Sequence, residues 1–217
     1  DSFNVSGGGN SFLTSVYVDG APLPMREIQQ GGFSTWDVSQ VEVLRGPQST
    51  LQGRNALAGA IVVNTYDPSY EYSAKGRVIL GENGQQEFAL AAGGSLIEDL
   101  LALRFTAEDR NFDGVNTNTS RNNEHSDFSD SSLYRFKLLF EPIDDFSAIL
   151  SYTKTETEMG VLWADAHPTL AKDHRKVSFN DPTWEFTDSD LFVLDLDYYL
   201  NDIWSVQAIT TYSDMTY

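Results

Sequence analysis

Residues 41–65, which read VEVLRGPQSTLQGRNALAGAIVVNT, decide the fold. An apolar run leads into residues 44–47 (LRGP), where Pro47 ends a strand because proline lacks the backbone N–H that a sheet requires. After a polar turn, the small residues at 58–60 permit close packing, and a second apolar run continues to Thr65. The segment therefore predicts two strands joined by a constrained turn, at residues 40–44 and 60–64.

A second stretch, residues 16–24, reads VYVDGAPLP and predicts a strand at 15–19 that ends in Asp19-Gly20. In order and spacing, the two stretches resemble the second half of the plug domain of TonB-dependent outer-membrane receptors. The chain departs from the family in having Gln52 where tyrosine is common and Ala58 where glycine is common. The elements that carry the resemblance are Asp19-Gly20, Leu44-Arg45-Gly46-Pro47, Leu51-Gln52-Gly53-Arg54-Asn55, Ala58-Gly59-Ala60 and Thr65 to Pro68.

The resemblance implies roles for several motif residues. It gives Arg45 the part of a latch that pairs with glutamates of the barrel wall, and a buried guanidinium requires partners of that kind. The alternative, an arginine exposed at a turn, stays open for Arg45 and more so for Arg54. The residues of the plug motif and latch are Arg45, Gly46, Pro47, Gly53, Arg54, Asn55 and Gly59.

Residues 76–217 contain repeated runs in which apolar and polar side chains alternate. Residues 101–108, LALRFTAE, show the pattern, which is typical of strands with one apolar and one polar face. We predict seven strands, at residues 76–81, 87–96, 100–110, 131–141, 146–156, 190–200 and 203–213.

The connections between these strands alternate in length. The first hairpin is the exception, since Asn83-Gly84 predicts a tight type I′ turn. Short turns at one rim and long loops at the other are typical of a transmembrane β-barrel, although a soluble antiparallel sandwich also alternates. The tight turns are residues 97–99, 142–145 and 201–202, and the long polar connections are 111–130 and 157–189.

Charge and cysteine content exclude several classes of function. The chain has 217 residues, with 14 Lys and Arg against 32 Asp and Glu, for a net charge of −18. A strongly anionic chain repels phosphate backbones, so we expect no nucleic-acid binding. The absence of cysteine excludes disulfides, thiolate metal sites and thiol nucleophiles. No apolar window reaches the 18 or so residues of a transmembrane helix.

Charge also divides the chain near residue 75. Residues 1–75 carry 4 basic and 7 acidic side chains, whereas residues 76–217 carry 10 and 25. We therefore predict a mainly β protein, with the C-terminal half of an α+β plug domain in 1–75 and the N-terminal part of a transmembrane β-barrel in 76–217. The resemblance implies a 22-stranded barrel in the intact protein. Because the chain begins at Asp1 and stops within an alternating run, we expect a piece of a longer protein.

Candidate ligand contacts lie in the plug loop 23–36 and the long connections. Aromatic side chains there can stack on aryl chelators or on sugar faces. No catalytic motif such as Gly-x-Ser-x-Gly occurs, and we predict neither an enzyme nor a cofactor or metal site. The candidates for ligand contact are Trp36, Trp163, His167 and Trp184.

The function implied by the resemblance is active import across the outer membrane of a Gram-negative bacterium. The partners implied are the TonB energy-transducing complex, outer-membrane lipid and a scarce extracellular ligand, with an iron chelate such as a ferric siderophore as the first choice. A glycan or vitamin is the alternative ligand. A soluble or secreted all-β binding module, such as a carbohydrate-binding sandwich, remains the alternative protein, and an acidic adhesin is a weaker one.

Overall fold

The computed structural model describes residues 14–24, 27–28, 34–46, 59–160, 176–178, 180 and 184–217. The chain divides into two compact units, Asp1–Tyr66 and Asp67–Tyr217, so the division lies ahead of the change in composition near residue 75. Among the described residues, no helix is long and apolar enough to cross a membrane.

Four strands form a mixed sheet in the first unit, here called the N-terminal sheet. Their order is β2-β1-β4-β3, with β1 parallel to β4 and the other pairs antiparallel. Tyr17 and Ala60 are buried together, and Leu44 packs against them. The strands are β1 (Thr14–Val18), β2 (Ala21–Pro22), β3 (Val38–Arg45) and β4 (Gly59–Thr65), which confirms the three strands predicted from the two motif stretches.

Seven antiparallel strands form the sheet of the second unit, here called the long sheet. Strand neighbours in the sheet are also neighbours along the chain, in the order β5-β6-β7-β9-β10-β12-β13. This confirms the predicted fold class and all seven predicted strands. The bounds are β5 (Ser73–Leu80), β6 (Gln86–Ile97), β7 (Leu101–Phe112), β9 (Ser129–Ile143), β10 (Phe146–Gly160), β12 (Trp184–Tyr199) and β13 (Ser205–Thr216).

The largest extensions beyond the predicted ends are towards the long connections. Strand β10 continues to Gly160, and β12 begins at Trp184 rather than near residue 190. Next to the predicted ends both faces of the sheet are polar, with the pair Thr157–Thr187 on one face and the pair Glu156–Asp188 on the other. Alternation of apolar and polar residues therefore stops before the hydrogen-bonded ladder does, because the ladder depends on backbone groups alone.

The turns of the long sheet follow the sequence prediction. Asn83 and Gly84 have φ angles of +57° and +68°, which confirms the predicted type I′ turn. At the opposite end of the sheet, Asp99 occupies a tight turn with φ of +53°, closed by a hydrogen bond from Leu100 N to Ile97 O of 3.2 Å. Apart from the Asn83-Gly84 turn, which lies beside the first long connection, the short turns lie at one end and the long connections at the other.

The long sheet has one apolar and one polar face, because directly paired residues point to the same side. On the apolar face, one row crosses five strands as Phe105, Phe136, Tyr152, Phe192 and Tyr212. The rings of Tyr152 and Phe192 are 4.6 Å apart, and those of Phe192 and Tyr212 are 6.3 Å apart. The row beside it on the polar face contains Arg104, Lys137 and Ser151.

Candidate functional site

The Asp19 carboxylate joins two parts of the N-terminal motif. Asp19 lies between β1 and β2 in the left-handed region, with φ of +48°. Its Oδ1 accepts a hydrogen bond from Thr65 N at 2.8 Å, and its Oδ2 accepts one from Thr65 Oγ1 at 2.7 Å. Sequence reasoning placed both residues in the motif but gave no sign that they bond to each other.

Gly59 explains why the motif requires a glycine after its small residues. It pairs with Arg45 at the end of the β3–β4 ladder and has a φ of +155°. A Cβ there would lie 2.5 Å from the main-chain oxygen of Leu44, so no larger residue fits without a backbone shift. Arg45 itself is exposed at the end of β3. The remaining motif residues Pro47, Gly53, Arg54 and Asn55 lie outside the described part of the chain, and Gly46 follows Arg45 with φ of +84°.

The candidate ligand contacts fall in different environments. Trp36 is buried, with 9% of its surface exposed, and its backbone N–H donates to Ser34 Oγ at 2.9 Å. Trp184 is 58% exposed at the first position of β12, at the end of the sheet where the long connections lie. Trp163 and His167 lie outside the described residues, so the structure does not bring the four together.

An ion-pair cluster lies on the polar face of the long sheet, at the end towards the long connections. The Arg77 guanidinium contacts the carboxylates of both Glu87 and Glu108, the latter at 3.0 Å. Arg110 Nε lies 3.6 Å from the second oxygen of Glu108 and donates to Ser131 Oγ at 3.2 Å. Two arginines and two glutamates on three strands thus balance in charge.

Basic side chains continue along the same face towards the short turns. Arg104 and Lys137 are directly opposite each other on β7 and β9, and both are buried. Lys137 Nζ lies 2.8 Å from Asp67 Oδ1, and Arg135 Nε donates to Thr153 Oγ1 at 3.2 Å. Like charges placed directly opposite each other destabilise a sheet. The stability of the sheet alone therefore does not explain this basic strip of Arg104, Arg135 and Lys137.

The two long connections of the sheet are joined by a short ladder, here called the loop ladder. Strands β8 (Thr117–Asn118) and β11 (Lys176–Val177) run parallel and pair with each other. Thr119 donates to Val177 O through both its backbone N and its Oγ1, at 2.9 and 3.1 Å. The hydroxyls of Ser120 and Ser178 are 2.6 Å apart, and Arg121 donates to Asn180 O at 2.7 Å.

The first long connection also has internal order. Asp127 Oδ1 accepts hydrogen bonds from the backbone N–H groups of Val115 and Asn116, at 2.8 and 2.7 Å. Ser126 donates two hydrogen bonds to Asn116 O, from its backbone N and from its hydroxyl, at 2.9 Å each. Within the described residues, no group of three or more His, Asp or Glu side chains could hold a metal ion. The carboxylate of Asp127 therefore shapes the backbone of this loop.

Comparison with known proteins identifies the arrangement. The family model described as TonB-dependent Receptor Plug Domain matches residues 1–60. The pesticin receptor of Yersinia pestis is 29% identical over 175 residues, which make up 77% of this chain and 24% of the receptor. A second similar protein is the ferric yersiniabactin uptake receptor FyuA from Yersinia pestis, whose crystal structure matches with a TM-score of 0.77 and 24% identity. The match covers 94% of this chain and 32% of the FyuA chain. These matches support a TonB-dependent receptor, of which this chain would be a part.

A further relative of this TonB-dependent receptor is the ferrioxamine B receptor of Salmonella typhimurium, 27% identical over 86 residues. These residues are 39% of this chain and 12% of that receptor. The chain thus spans about a quarter of the pesticin receptor and less of the ferrioxamine B receptor. These relatives are proteins of the Gram-negative outer membrane, and the same location follows for this chain.

The matches bear on the two faces of the long sheet. Most of the N-terminal sheet lies within the residues that match the plug model, and the structural match to FyuA also extends over the long sheet. In transmembrane barrels the outward-facing side chains form an apolar band in contact with lipid, and the interior is polar. The two faces of the long sheet have these two compositions, with the ion-pair cluster and the basic strip on the polar face.

Proposed function

We propose that the receptor containing this chain imports a ferric siderophore across the outer membrane, using energy that TonB delivers from the inner membrane. The ligand binds between the long outer connections and the plug. TonB then rearranges the plug and opens a path through the barrel. This is the function expected from the sequence resemblance, and the alternatives within it are a glycan or vitamin ligand.

The observation that carries this proposal is the similarity to the pesticin receptor over 175 residues, which extends beyond the plug into the barrel wall. The FyuA receptor, whose fold covers 94% of this chain, takes up ferric yersiniabactin by its own description. The ferrioxamine B receptor is also named for an iron chelate. The names of these two relatives support an iron complex as the cargo.

The charge of the barrel interior supports the same ligand class. Six of the chain's 14 basic residues point to the polar face of the long sheet, although the chain as a whole carries a charge of −18. Deprotonated chelators that bind ferric iron are commonly anionic, and basic groups in this wall offset the repulsion that its carboxylates, among them Glu87 and Glu108, would exert on them. The six are Lys75, Arg77, Arg104, Arg110, Arg135 and Lys137.

Uptake of labelled iron tests the proposal directly. The intact receptor would be expressed in cells that lack their own siderophore receptors, and entry of iron-55 would be measured with phenolate, catecholate and hydroxamate chelators. We expect uptake of one of these classes that disappears in a strain without TonB. A matched assay with labelled maltooligosaccharide and cobalamin serves as the control, and uptake of either in place of iron would contradict the ligand assignment.

Arg45 is the residue we propose as the latch between plug and barrel wall. It ends the β3 strand at its pairing with Gly59, a position that the backbone geometry fixes. We expect Arg45→Ala to lower iron uptake about tenfold or more while siderophore binding at the cell surface stays unchanged. Arg45→Lys keeps the charge but loses the bidentate geometry, so its iron uptake should lie between those of the wild type and Arg45→Ala. Unchanged uptake by Arg45→Ala would contradict the latch role.

The ligand-contact residues remain proposals of the same kind. Trp184 is exposed next to the long connections but lies on the same face of β12 as Phe192, so it can stack on an aryl chelator only at the outer end of the apolar face. Trp163 and His167 belong to the connection that precedes it. Trp36 is buried, so its substitution by alanine would act through packing of the plug loop. Binding measured for Trp184→Ala against Trp184→Phe would separate stacking from a structural effect.

A further inference from the structure

Residues 67–72, here called the linker, lie between Tyr66 and the start of β5 and belong to the second unit. Tyr66, the last residue of the first unit, donates from its backbone N to Asp37 O at 3.0 Å. Pro68 is buried, has a fixed φ angle and restricts Asp67 to extended backbone conformations. The boundary between the two units therefore lies at the peptide bond between Tyr66 and Asp67, and a stiff segment follows it.

Two side chains of the linker bind it to strand β9. Asp67 Oδ1 lies 2.8 Å from Nζ of Lys137, whose side chain is only 3% exposed. The Tyr70 hydroxyl donates a hydrogen bond to Glu141 Oε2 at 2.8 Å. Lys137 and Glu141 are four residues apart on β9, so the two contacts hold the linker along about 13 Å of this strand.

Two further bonds fix the place where the linker continues into β5. Arg104 on β7 donates from Nη1 to Oγ of Ser73, the first residue of β5, at 3.3 Å. The Tyr72 hydroxyl donates to Ser95 O on β6 at 2.9 Å, and its ring lies where a Cβ of Gly94 would be. The linker and its continuation are thus bound to three neighbouring strands, β6, β7 and β9.

These contacts have a mechanical consequence for the chain that precedes them. A pull from the N-terminal side meets the pair of Asp67 and Lys137 first, and separating one partner from a buried charge is costly. We propose that the linker is a fixed anchor, which stays bound to the long sheet while the first unit rearranges. The rearrangement then ends at the peptide bond between Tyr66 and Asp67. This inference rests on the proposed TonB-driven function, because TonB supplies the pull.

Pulling on the intact receptor from its N terminus by atomic force microscopy tests the anchor without ligand or TonB. We expect the last rupture to release the linker and to lengthen the chain by about 2 nm, the span of about six extended residues. Asp67→Asn with Tyr70→Phe removes both contacts to β9 with little change of shape and should abolish this rupture. Asp188→Asn with Tyr152→Phe is the matched control, because it removes an ion pair with Lys154 and a tyrosine–carboxylate bond elsewhere on the long sheet.

Iron uptake with a locked linker tests the anchor during transport. Tyr70→Cys and Glu141→Cys would be combined and joined by a bifunctional thiol reagent whose spacer replaces the two side chains. We expect uptake of iron-55 by the locked receptor to stay within twofold of that by the wild type. A wild-type receptor that imports none of the iron chelates would contradict the proposed function, and the pulling measurement would then decide on the anchor by itself.

Three outcomes would overturn the anchor. The first is loss of uptake on cross-linking while the wild type imports iron, since the linker would then have to leave the sheet. The second is a final rupture that persists in Asp67→Asn with Tyr70→Phe. If that double variant does not fold, Tyr70→Phe alone keeps the ion pair of Lys137 and should lower the force of the final rupture. An unchanged force in Tyr70→Phe is the third.

Discussion

At the scale of single residues, the motif of the plug is held together by side-chain chemistry that spacing alone does not reveal. Thr65 is 2% exposed, and both of its donors reach the Asp19 carboxylate across 46 positions of sequence. A buried donor that loses its acceptor is costly, by about 1–3 kcal/mol. The family pattern of an Asp-Gly turn followed by a distant threonine thus corresponds to one bonded unit.

We therefore expect Asp19→Ala to loosen the end of β4. Loss of about 1–3 kcal/mol of local stability should speed backbone amide exchange at Thr65 about tenfold or more, as measured by hydrogen–deuterium exchange in the intact receptor. Asp19→Asn, which keeps one acceptor and tolerates a φ of +48°, is the control with a smaller effect. If Asp19→Gly exchanged like the wild type, the backbone angle and not the carboxylate would be the reason for aspartate.

Tyr70 provides a prediction for pH dependence outside the strands. Its hydroxyl donates to Glu141 Oε2 at 2.8 Å, and burial, together with this bond and the charge of Glu141, raises the pKa of Tyr70 to about 12. The ordinary tyrosine pKa is about 10, so folding favours the neutral hydroxyl. The hydrogen bond of the neutral Tyr70 hydroxyl therefore contributes fully to folding stability below pH 10. This contribution is lost as the pH rises through 12.

Absorbance at 295 nm measures this ionisation. The difference between the wild-type receptor and Tyr70→Phe should show one tyrosine that ionises near pH 12, and Glu141→Gln should move that ionisation towards pH 10. Tyr72→Phe is the control, because Tyr72 is 82% exposed and its hydroxyl donates to the main-chain oxygen of Ser95. A Tyr70 that ionised near pH 10 would show that the bond to Glu141 is absent.

At the scale of elements, the loop ladder joins two connections that the barrel strands would otherwise leave independent. It consists of two paired residues on each side and a few side-chain bonds. Because backbone pairing of this length contributes little by itself, the bonds from Thr119 and Arg121 to main-chain oxygens of the second connection are needed to hold it. The outer loops should therefore move together.

A disulfide can test the loop ladder. The chain contains no cysteine, and the hydroxyls of Ser120 and Ser178 are 2.6 Å apart, so the thiols of Ser120→Cys and Ser178→Cys should form a disulfide with dissolved oxygen as the oxidant. The product is detected by its altered mobility on a denaturing gel without reductant. Ser120→Cys with Ser205→Cys is the control, since Ser205 begins β13 at the end with the short turns. Equal cross-linking of the two pairs would contradict the ladder.

The same elements show which parts of the structure the sequence could predict. Alternation located all seven strands of the long sheet, and Asn83-Gly84 located a turn, because both signals arise from neighbouring residues. Strands β2, β8 and β11 escaped prediction because each has only two residues, and β8 and β11 also exist only through a distant partner. The bond between Asp19 and Thr65 escaped for the same reason.

At the scale of the whole molecule, register sorts the charges by face, and composition alone could not show this. The net charge of −18 suggests a uniformly acidic wall, yet basic residues concentrate on the polar face. Asp109, Glu156 and Asp188 share one row of the opposite face, beyond its apolar band towards the long connections. Assigning a residue to a face requires knowing every pairing between strands, since a shift of one position exchanges the faces.

Spin labels test this sorting in the intact receptor. Labels at Leu150 and Tyr152 should collide readily with dissolved oxygen in the bilayer, whereas a label at Ser151, which is 4% exposed on the polar face, should be several times less accessible. Power-saturation measurements give these values. Equal accessibility at the three positions would contradict a lipid-facing wall and would favour the soluble sandwich.

The parallel pairing of the loop ladder also sets an order of events during folding. Its two strands are separated by β9 and β10, and Thr119 meets Val177 across 58 positions. Chain closure over such a separation is entropically costly until the intervening hairpin exists. The ladder can therefore form only after β9 and β10 have paired, so the surface that meets the cell's surroundings is completed late, on a wall already built.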